Sequence, residues 1–234
     1  MKKWDRRDVL LGGSAVAVAG ACGFSISMLA RRSEAKGLLR PPGALEEKAF
    51  LASCIKCGQC IQVCPYHALN LLDLTSGIDM GTPMIDPRRR GCYLCDLFPC
   101  VLCCPSGALD SRVQSIDQVR MGTAYVNKPD RCWARDGRAV PEDWIETLIG
   151  HGNATELEKG LNVRLRRQMG TSCRLCVEVC PVPERDGAIR LVDGKPEIGS
   201  KCVGCGACVE VCPDNLIEVR VRQSYEDVYA KDKS

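Results

Sequence analysis

The stretch that decides the fold is Cys54-Ile55-Lys56-Cys57-Gly58-Gln59-Cys60-Ile61-Gln62-Val63-Cys64-Pro65. Its cysteines follow the spacing C-x2-C-x2-C-x3-C-P, the bacterial run that binds a [4Fe–4S] cube. Three thiolates spaced two residues apart line a tight loop and can wrap three corners of one cube. The fourth, just before a proline, opens a turn that faces away and reaches a second cube. Gly58 lies between the second and third ligands, where the backbone is expected to pass close to the cluster with φ above zero. Zinc usually takes cysteines as two separated C-x2-C pairs. A single run of four ending in proline matches that poorly.

The run returns unchanged at Cys202, Cys205, Cys208 and Cys212, followed by Pro213. Cys92, Cys95, Cys100 and Cys104, followed by Pro105, widen the middle gap. Cys173, Cys176 and Cys180, followed by Pro181, keep the end of the run but lack its first member. Cys132, well upstream, is the only nearby thiol that can supply it. The four motifs use sixteen of the 18 cysteines and leave Cys22 and Cys103. A disulfide framework competes for any exported chain, but such frameworks space cysteines irregularly and do not repeat one run. Cys103 adjoins Cys104, and only Cys104 has the proline after it, so Cys103 is expected to be a buried spare thiol.

In two-cluster ferredoxins the fourth cysteine of each run serves the other cluster. Applied here, the first cluster takes Cys54, Cys57, Cys60 and Cys104, and the second takes Cys92, Cys95, Cys100 and Cys64. The third takes Cys132, Cys173, Cys176 and Cys212, and the fourth takes Cys202, Cys205, Cys208 and Cys180. The expected fold is α+β: two tandem bacterial-ferredoxin-like modules of short strands and helices around four cubane clusters, at residues 50–124 and 125–222. The recurrence of C-P-x-x-A-L after Cys64 and Cys104 marks the halves of the first module as repeats. In the second, 133–170 is an insertion that splits the third motif, with helices expected over Pro141–Ile149 and Thr155–Met169. Tyr125–Asn127, Ile189–Val192 and Ile217–Val221 read as strands. Arg164, Arg166 and Arg167 give the insertion a basic patch, read as a solvated helix face or as a docking surface. Residues 223–234 read as a polar tail without evident chemistry.

Residues 1–35 read as an export signal. Lys2, Lys3, Arg6 and Arg7 precede an uncharged stretch from Leu10 to Leu29. Arg6-Arg7-Asp8-Val9-Leu10 resembles the twin-arginine motif. That route carries folded protein, as export of clusters assembled in the cytoplasm requires. Three fates stay open: cleavage after Ala35, retention as an anchor, since about 20 apolar residues span a bilayer, and lipidation of Cys22. Residues 36–49, with Arg40-Pro41-Pro42-Gly43, read as a linker leading through a short helix, Glu46–Ser53, to the first loop. The formal charge is +3, and residues 1–35 carry six basic and three acidic groups. The remainder is neutral before metal. Each oxidised cube with four thiolates adds about −2, so the holoprotein is acidic by about −8. Aromatics are only 5% of the chain, so the clusters are expected to supply much of the folding free energy.

No nucleophile–base pair, phosphate loop or open metal site is legible. His67 and His151 are isolated, and His67 reads as a packing residue near a cluster. Four thiolates leave a cube no free coordination position, which favours electron relay over substrate chemistry. A maturation factor for a redox enzyme is the competing class.

The chain resembles the NapG/MauM family of periplasmic ferredoxin-type proteins over most of residues 1–222. The resemblance rests on the twin-arginine start, Arg40-Pro41-Pro42-Gly43-Ala44, and Ala52-Ser53-Cys54 through Cys64-Pro65-Tyr66. It also rests on Ser76-Gly77 with Gly81-Thr82-Pro83, Cys104-Pro105-Ser106-Gly107-Ala108-Leu109, Met121-Gly122 and the split third motif. It implies an electron carrier in the periplasm, beside a polytopic quinol-oxidising membrane partner of the NapH type, passing electrons toward periplasmic nitrate reductase. Its MauM branch implies a place in methylamine dehydrogenase systems. The long insertion is a departure from the NapG branch. The Tat translocase is the expected partner during export, and no nucleic acid is expected to bind.

Purified without oxygen, the protein is expected to carry about 16 iron atoms and as much acid-labile sulfide per chain. Iron and sulfide assays check this. A load near two cubes, or stoichiometric zinc, defeats the reading.

Overall fold

The computed structural model describes residues 37–150, 155–183 and 185–229. The expectations for residues 1–35, including Cys22, and for His151 fall outside them. Among the described residues no helix is long and apolar enough to cross a membrane.

The first cysteine half starts earlier than its first cysteine. Part of the stretch expected as a linker is built into the core: Leu39 and Arg40 are each 3% exposed. Arg40 is held because its charge is matched on all sides. Its guanidinium pairs with Glu47 at 2.6 Å, donates to Thr82 Oγ1 at 2.8 Å and the Pro83 carbonyl at 2.9 Å, and lies over the Phe50 ring. Gly43 is a turn residue at φ 74°, and the chain beyond it meets the far end of the half. Ala44 bridges Leu109 antiparallel, Leu45 N donates to the Ala108 carbonyl and Asp110 N to the Gly43 carbonyl. Helix α1 (Glu47–Ser53), with Glu46 at its N-cap, buries Phe50 and ends at Cys54. Short helices α2 (Gln59–Gln62) and α3 (Pro99–Leu102) follow their cysteine loops. Strand β1 (Leu69–Leu71) pairs antiparallel with β2 (Pro83–Ile85), Asn70 opposite Met84. Leu72–Gly81 belongs to a separate compact unit. Within it Asp73 caps a tight helical turn by accepting from Thr75 N, and Gly81 N donates to the Leu72 carbonyl.

The second half repeats the plan with longer strands. Strand β3 (Gly122–Val126) enters Cys132. The insertion then forms α4 (Glu142–Ile149) and α5 (Glu156–Arg166). Helix α6 (Leu175–Glu178) carries Cys176 of the split motif, and α7 (Arg185–Ala188) runs into β4 (Ile189–Val192). Strand β5 (Lys195–Ile198), α8 (Ala207–Glu210), β6 (Ile217–Val221) and α9 (Tyr225–Tyr229) complete it. The outer strands β3 and β6 pair antiparallel, Ala124 opposite Val219, as Ala44 and Leu109 do in the first half. The inner strands β4 and β5 form a hairpin whose two turn residues, Asp193 and Gly194, sit at φ 49° and 71°. A two-residue hairpin of this hand needs that backbone. Residues 223–234, expected as a plain tail, contain α9, and Tyr229 Oη donates to the Ala124 carbonyl at 3.0 Å.

The insertion helices are amphipathic for a reason visible in the packing. Ile145, Leu148, Leu161 and Leu165 are at most 2% exposed. Thr155 caps α5 reciprocally with Glu158, the capping box that fixes a helix start. Helix α5 reaches back to the first half, Thr155 Oγ1 donating to the Pro65 carbonyl at 2.7 Å, while α4 is tied within the second half, Trp144 Nε1 donating to the Val211 carbonyl at 3.2 Å. Arg166 and Arg167 are exposed, whereas Arg164 is half-buried.

Between the halves lies a buried charge network. Arg90 pairs with Glu210 at 3.0 Å and Glu158 at 3.2 Å and donates to the Tyr66 carbonyl at 3.0 Å. Glu210 also accepts from Gly91 N at 2.7 Å and Tyr93 Oη at 3.0 Å. Breaking one side of a buried pair leaves an uncompensated charge and costs about 3–5 kcal/mol. Arg90→Leu is therefore expected to lower stability by about that amount. Thermal unfolding followed through cluster absorbance checks it. A change under about 1 kcal/mol would mean the network is solvated.

Candidate functional site

The cysteines stand on recurring backbone. In the first loop Lys56 and Gly58 take φ 59° and 75°; in the fourth Gly204 and Gly206 take 72° and 84°. Gly58 thus has the positive φ its place between ligands demands. In the second loop, Leu94 and Phe98 take the matching places at φ 45° and 40°. A left-handed residue recurs three places after a fourth cysteine: His67, Gly107 and Asn215 at φ 50°, 69° and 51°. His67 occupies this turn slot and is exposed, which corrects its reading as a packing residue. The turn brings a backbone N–H onto the sulfur. Ala68 N donates to Cys64 Sγ at 3.4 Å and Leu216 N to Cys212 Sγ at 3.3 Å.

The thiols surround four small, almost wholly apolar cavities. One is lined by Cys54, Cys57, Cys60 and Cys104, a second by Cys64, Cys92, Cys95 and Cys100. A third is lined by Cys132, Cys173, Cys176 and Cys212, the fourth by Cys180, Cys202, Cys205 and Cys208. Their empty volumes are alike, 350, 380, 360 and 350 Å³ with open mouths included. The structure so brings together each four-cysteine set read from the spacing, and it brings Cys132 to the split motif. Cys103 lines none of the four. It is half-buried, not buried as expected, and its sulfur donates to the Cys100 carbonyl at 3.4 Å.

A zinc ion would hold four sulfurs about 2.3 Å from one point. Among the described residues no three His, Cys, Asp or Glu groups close around a single ion in that way; the thiols ring a volume. The third cavity gives an independent test of fit. Trp133 lines it, and its indole Nε1 is buried without a hydrogen-bond partner. An orphaned N–H is costly in an apolar pocket and suits a guest with electron-rich sulfides. Desolvation points the same way. Burial pushes the Cys60 thiol up to about 12, with Cys103, Cys54, Cys57 and Cys104 adding to the rise. Burial likewise pushes Cys95 up to about 11 and raises Cys100, Cys176 and Cys205. Cys104 is the exception: burial raises it, but N–H groups of Leu109, Ser106 and Ala108 and the Ser106 hydroxyl outweigh burial and lower it. Thiols so buried become thiolates only against strong positive charge, which iron provides.

A fold with two pseudo-repeated halves, each presenting two four-thiol cavities, defines a tandem dicluster iron–sulfur protein. Family models described as 4Fe-4S dicluster domains match residues 53–108 and 163–213, and four [4Fe–4S] clusters are the cofactors. The chain is 36% identical to the methylamine utilization ferredoxin-type protein MauM of Paracoccus denitrificans (strain Pd 1222), covering 94% of this chain and 88% of that one. It is 32% identical to the ferredoxin-type protein NapG of Escherichia coli (strain K12), covering 88% and 78%. It is 34% identical to the methylamine utilization ferredoxin-type protein MauM of Methylorubrum extorquens, covering 94% and 90%. The chain belongs to the family of NapG and MauM ferredoxin-type proteins. No solved structure matches it.

Cys132→Ala is expected to remove one of the four cluster signals from the EPR spectrum and to lower the stability of a second half that still folds, and Cys173→Ala is expected to do the same. Cys103→Ala is expected to keep all four. The reverse pattern would show that the split motif has been misassigned.

Proposed function

We propose that the sixteen lining cysteines ligate the four clusters and that the chain is an electron-transfer subunit working in the periplasm. In this reading it takes electrons from a quinol-oxidising membrane partner of the NapH type and passes them toward a periplasmic reductase, with nitrate reductase the first candidate. The observation that carries the proposal is the four-thiol lining of each of the four small apolar cavities. Four corners of each cube are then taken, and no coordination position is left for a substrate. The clusters supply one-electron redox chemistry; the protein's residues supply the thiolates, the N–H groups that tune them and the apolar walls that keep water out. Export by the twin-arginine route, with the signal cleaved or kept as an anchor, belongs to the same reading. A MauM-type role in methylamine oxidation is supported as well, by the higher identity and coverage of the Paracoccus relative.

With its clusters the protein is acidic overall, so docking partners with basic faces are favoured and the encounter is salt-dependent. The exposed Arg166 and Arg167 at the end of α5 are a local exception and are assigned to a separate contact with the membrane partner. Quinol-driven reduction of the clusters in membranes holding that partner is expected to slow roughly two- to tenfold from low to physiological salt. Changing Arg166 and Arg167 to Gln is expected to slow it further. Clusters that never reduce or reoxidise during turnover would favour the maturation-factor alternative. A rate indifferent to salt and substitution would mean docking by apolar packing.

A further inference from the structure

The two halves touch at one place where a cluster loop of each meets the other backbone to backbone. Cys92 N donates to the Cys205 carbonyl at 2.9 Å, and Cys92 bridges Gly206 in parallel. The approach is close enough that a Cβ on Gly91 would lie 2.6 Å from Ala207 Cα and N and 2.7 Å from Gly206 C. Real side chains do not sit so near, so glycine is required there. On the other side of the joint, a Cβ on Gly206 would lie 2.5 Å from Pro87 Cβ. Cys92 belongs to the second thiol set and Cys205 to the fourth.

Within each half the neighbouring sets are joined through helices. Helices α2 and α3 pack together in the first half, α6 and α8 in the second. Cys60 and Cys64 flank the end of α2 and belong to different sets, as do Cys176 on α6 and Cys180 just after it.

We infer that the four sites form a single line in the order first, second, fourth, third, and that Gly91-Cys92 against Cys205-Gly206-Ala207 is the electron bridge between the halves. The order differs from that of the motifs in the chain. It rests on the ligand assignment proposed above. One electron crossing the bridge leaves one flanking site oxidised by one unit and the other reduced by one; no bond or proton is exchanged. The line begins at the first site, where Cys57 is the one exposed thiol of the sixteen. It ends at the third, where Cys132, Cys173 and Cys176 are buried.

The test is the spin–spin splitting in EPR spectra of the holoprotein reduced with dithionite. Removing a ligand at either end, Cys57→Ala or Cys173→Ala, is expected to leave the splitting between halves in place. Cys95→Ala, at the second site, is expected to alter or abolish it. Gly91→Ala keeps all sixteen thiols and is expected to hold the parent iron load while the splitting shrinks as the backbones part. A splitting that survives Cys95→Ala and disappears in Cys57→Ala or Cys173→Ala overturns the order. If Gly91→Ala does not fold, the three cysteine variants decide alone. An iron load well below about 16 in the parent defeats the ligand assignment instead, so the two failures are distinguishable.

Discussion

Each of the four thiol-lined cavities takes three thiols from one run or split run and the fourth from a distant one, and the rest of the structure depends on that crossing. Cys104 reaches the first cavity from the far end of its half, and Cys64 the second from the near end. Cys212 and Cys180 do the same in the second half. A cluster bound this way closes a long loop, and loop closure is the entropy that folding must otherwise overcome. Burial holds most of these thiols up as neutral groups until iron arrives. Folding and metal binding are therefore expected to be one event, as in other metal-dependent small domains. The short strands follow from this. Three-residue β1 and β2 could not stand as an isolated hairpin; beside two filled cavities they need only set the register.

The second constraint is the joint between the halves. A guanidinium shared by two carboxylates is buried with its partners, and each member brings a different segment to the joint. Arg90 precedes the second loop, Glu210 closes α8 beside the fourth, and Glu158 begins the long insertion helix. A buried charged set of this kind stabilises less than an apolar one, but it tolerates few alternative arrangements. The insertion thereby acquires a structural role. It splits a motif in the sequence, yet in space it braces the first half against the second through Thr155 and Glu158. Glycine at 91 lets the loops approach until backbone meets backbone.

Much of the site was legible because cluster ligation is written in local spacing. A tight loop fixes where three sulfurs point, and proline after the fourth turns the chain away. Even Cys132 could be named, since the third run lacked one thiol and had one candidate. The left-handed slot shared by His67, Gly107 and Asn215 was hidden by its three different side chains. Trp133, beside Cys132, carried no motif, and its orphaned N–H becomes visible only with the cavity around it. Strand β5 was missed because it is short and holds Pro196, which argues against a strand, although its burial alternates. Its hairpin is signalled only by Asp193-Gly194.

The sequence by itself determined the cofactor class, the four cysteine runs and the insertion helices with strands β3, β4 and β6. All of these follow from spacing over a few residues, where covalent geometry leaves little choice. Only the tertiary structure decided what spacing cannot carry. It made Leu39 and Arg40 part of the core, because Arg40 finds Glu47, Thr82 and Pro83 only after folding. It folded α9 back onto β3 through Tyr229. It set the second and fourth sites side by side, because the contact at Cys92 and Cys205 joins residues more than a hundred positions apart. Such pairings depend on which surfaces can bury each other without stranding a charge or crowding a Cβ, and no local pattern records that.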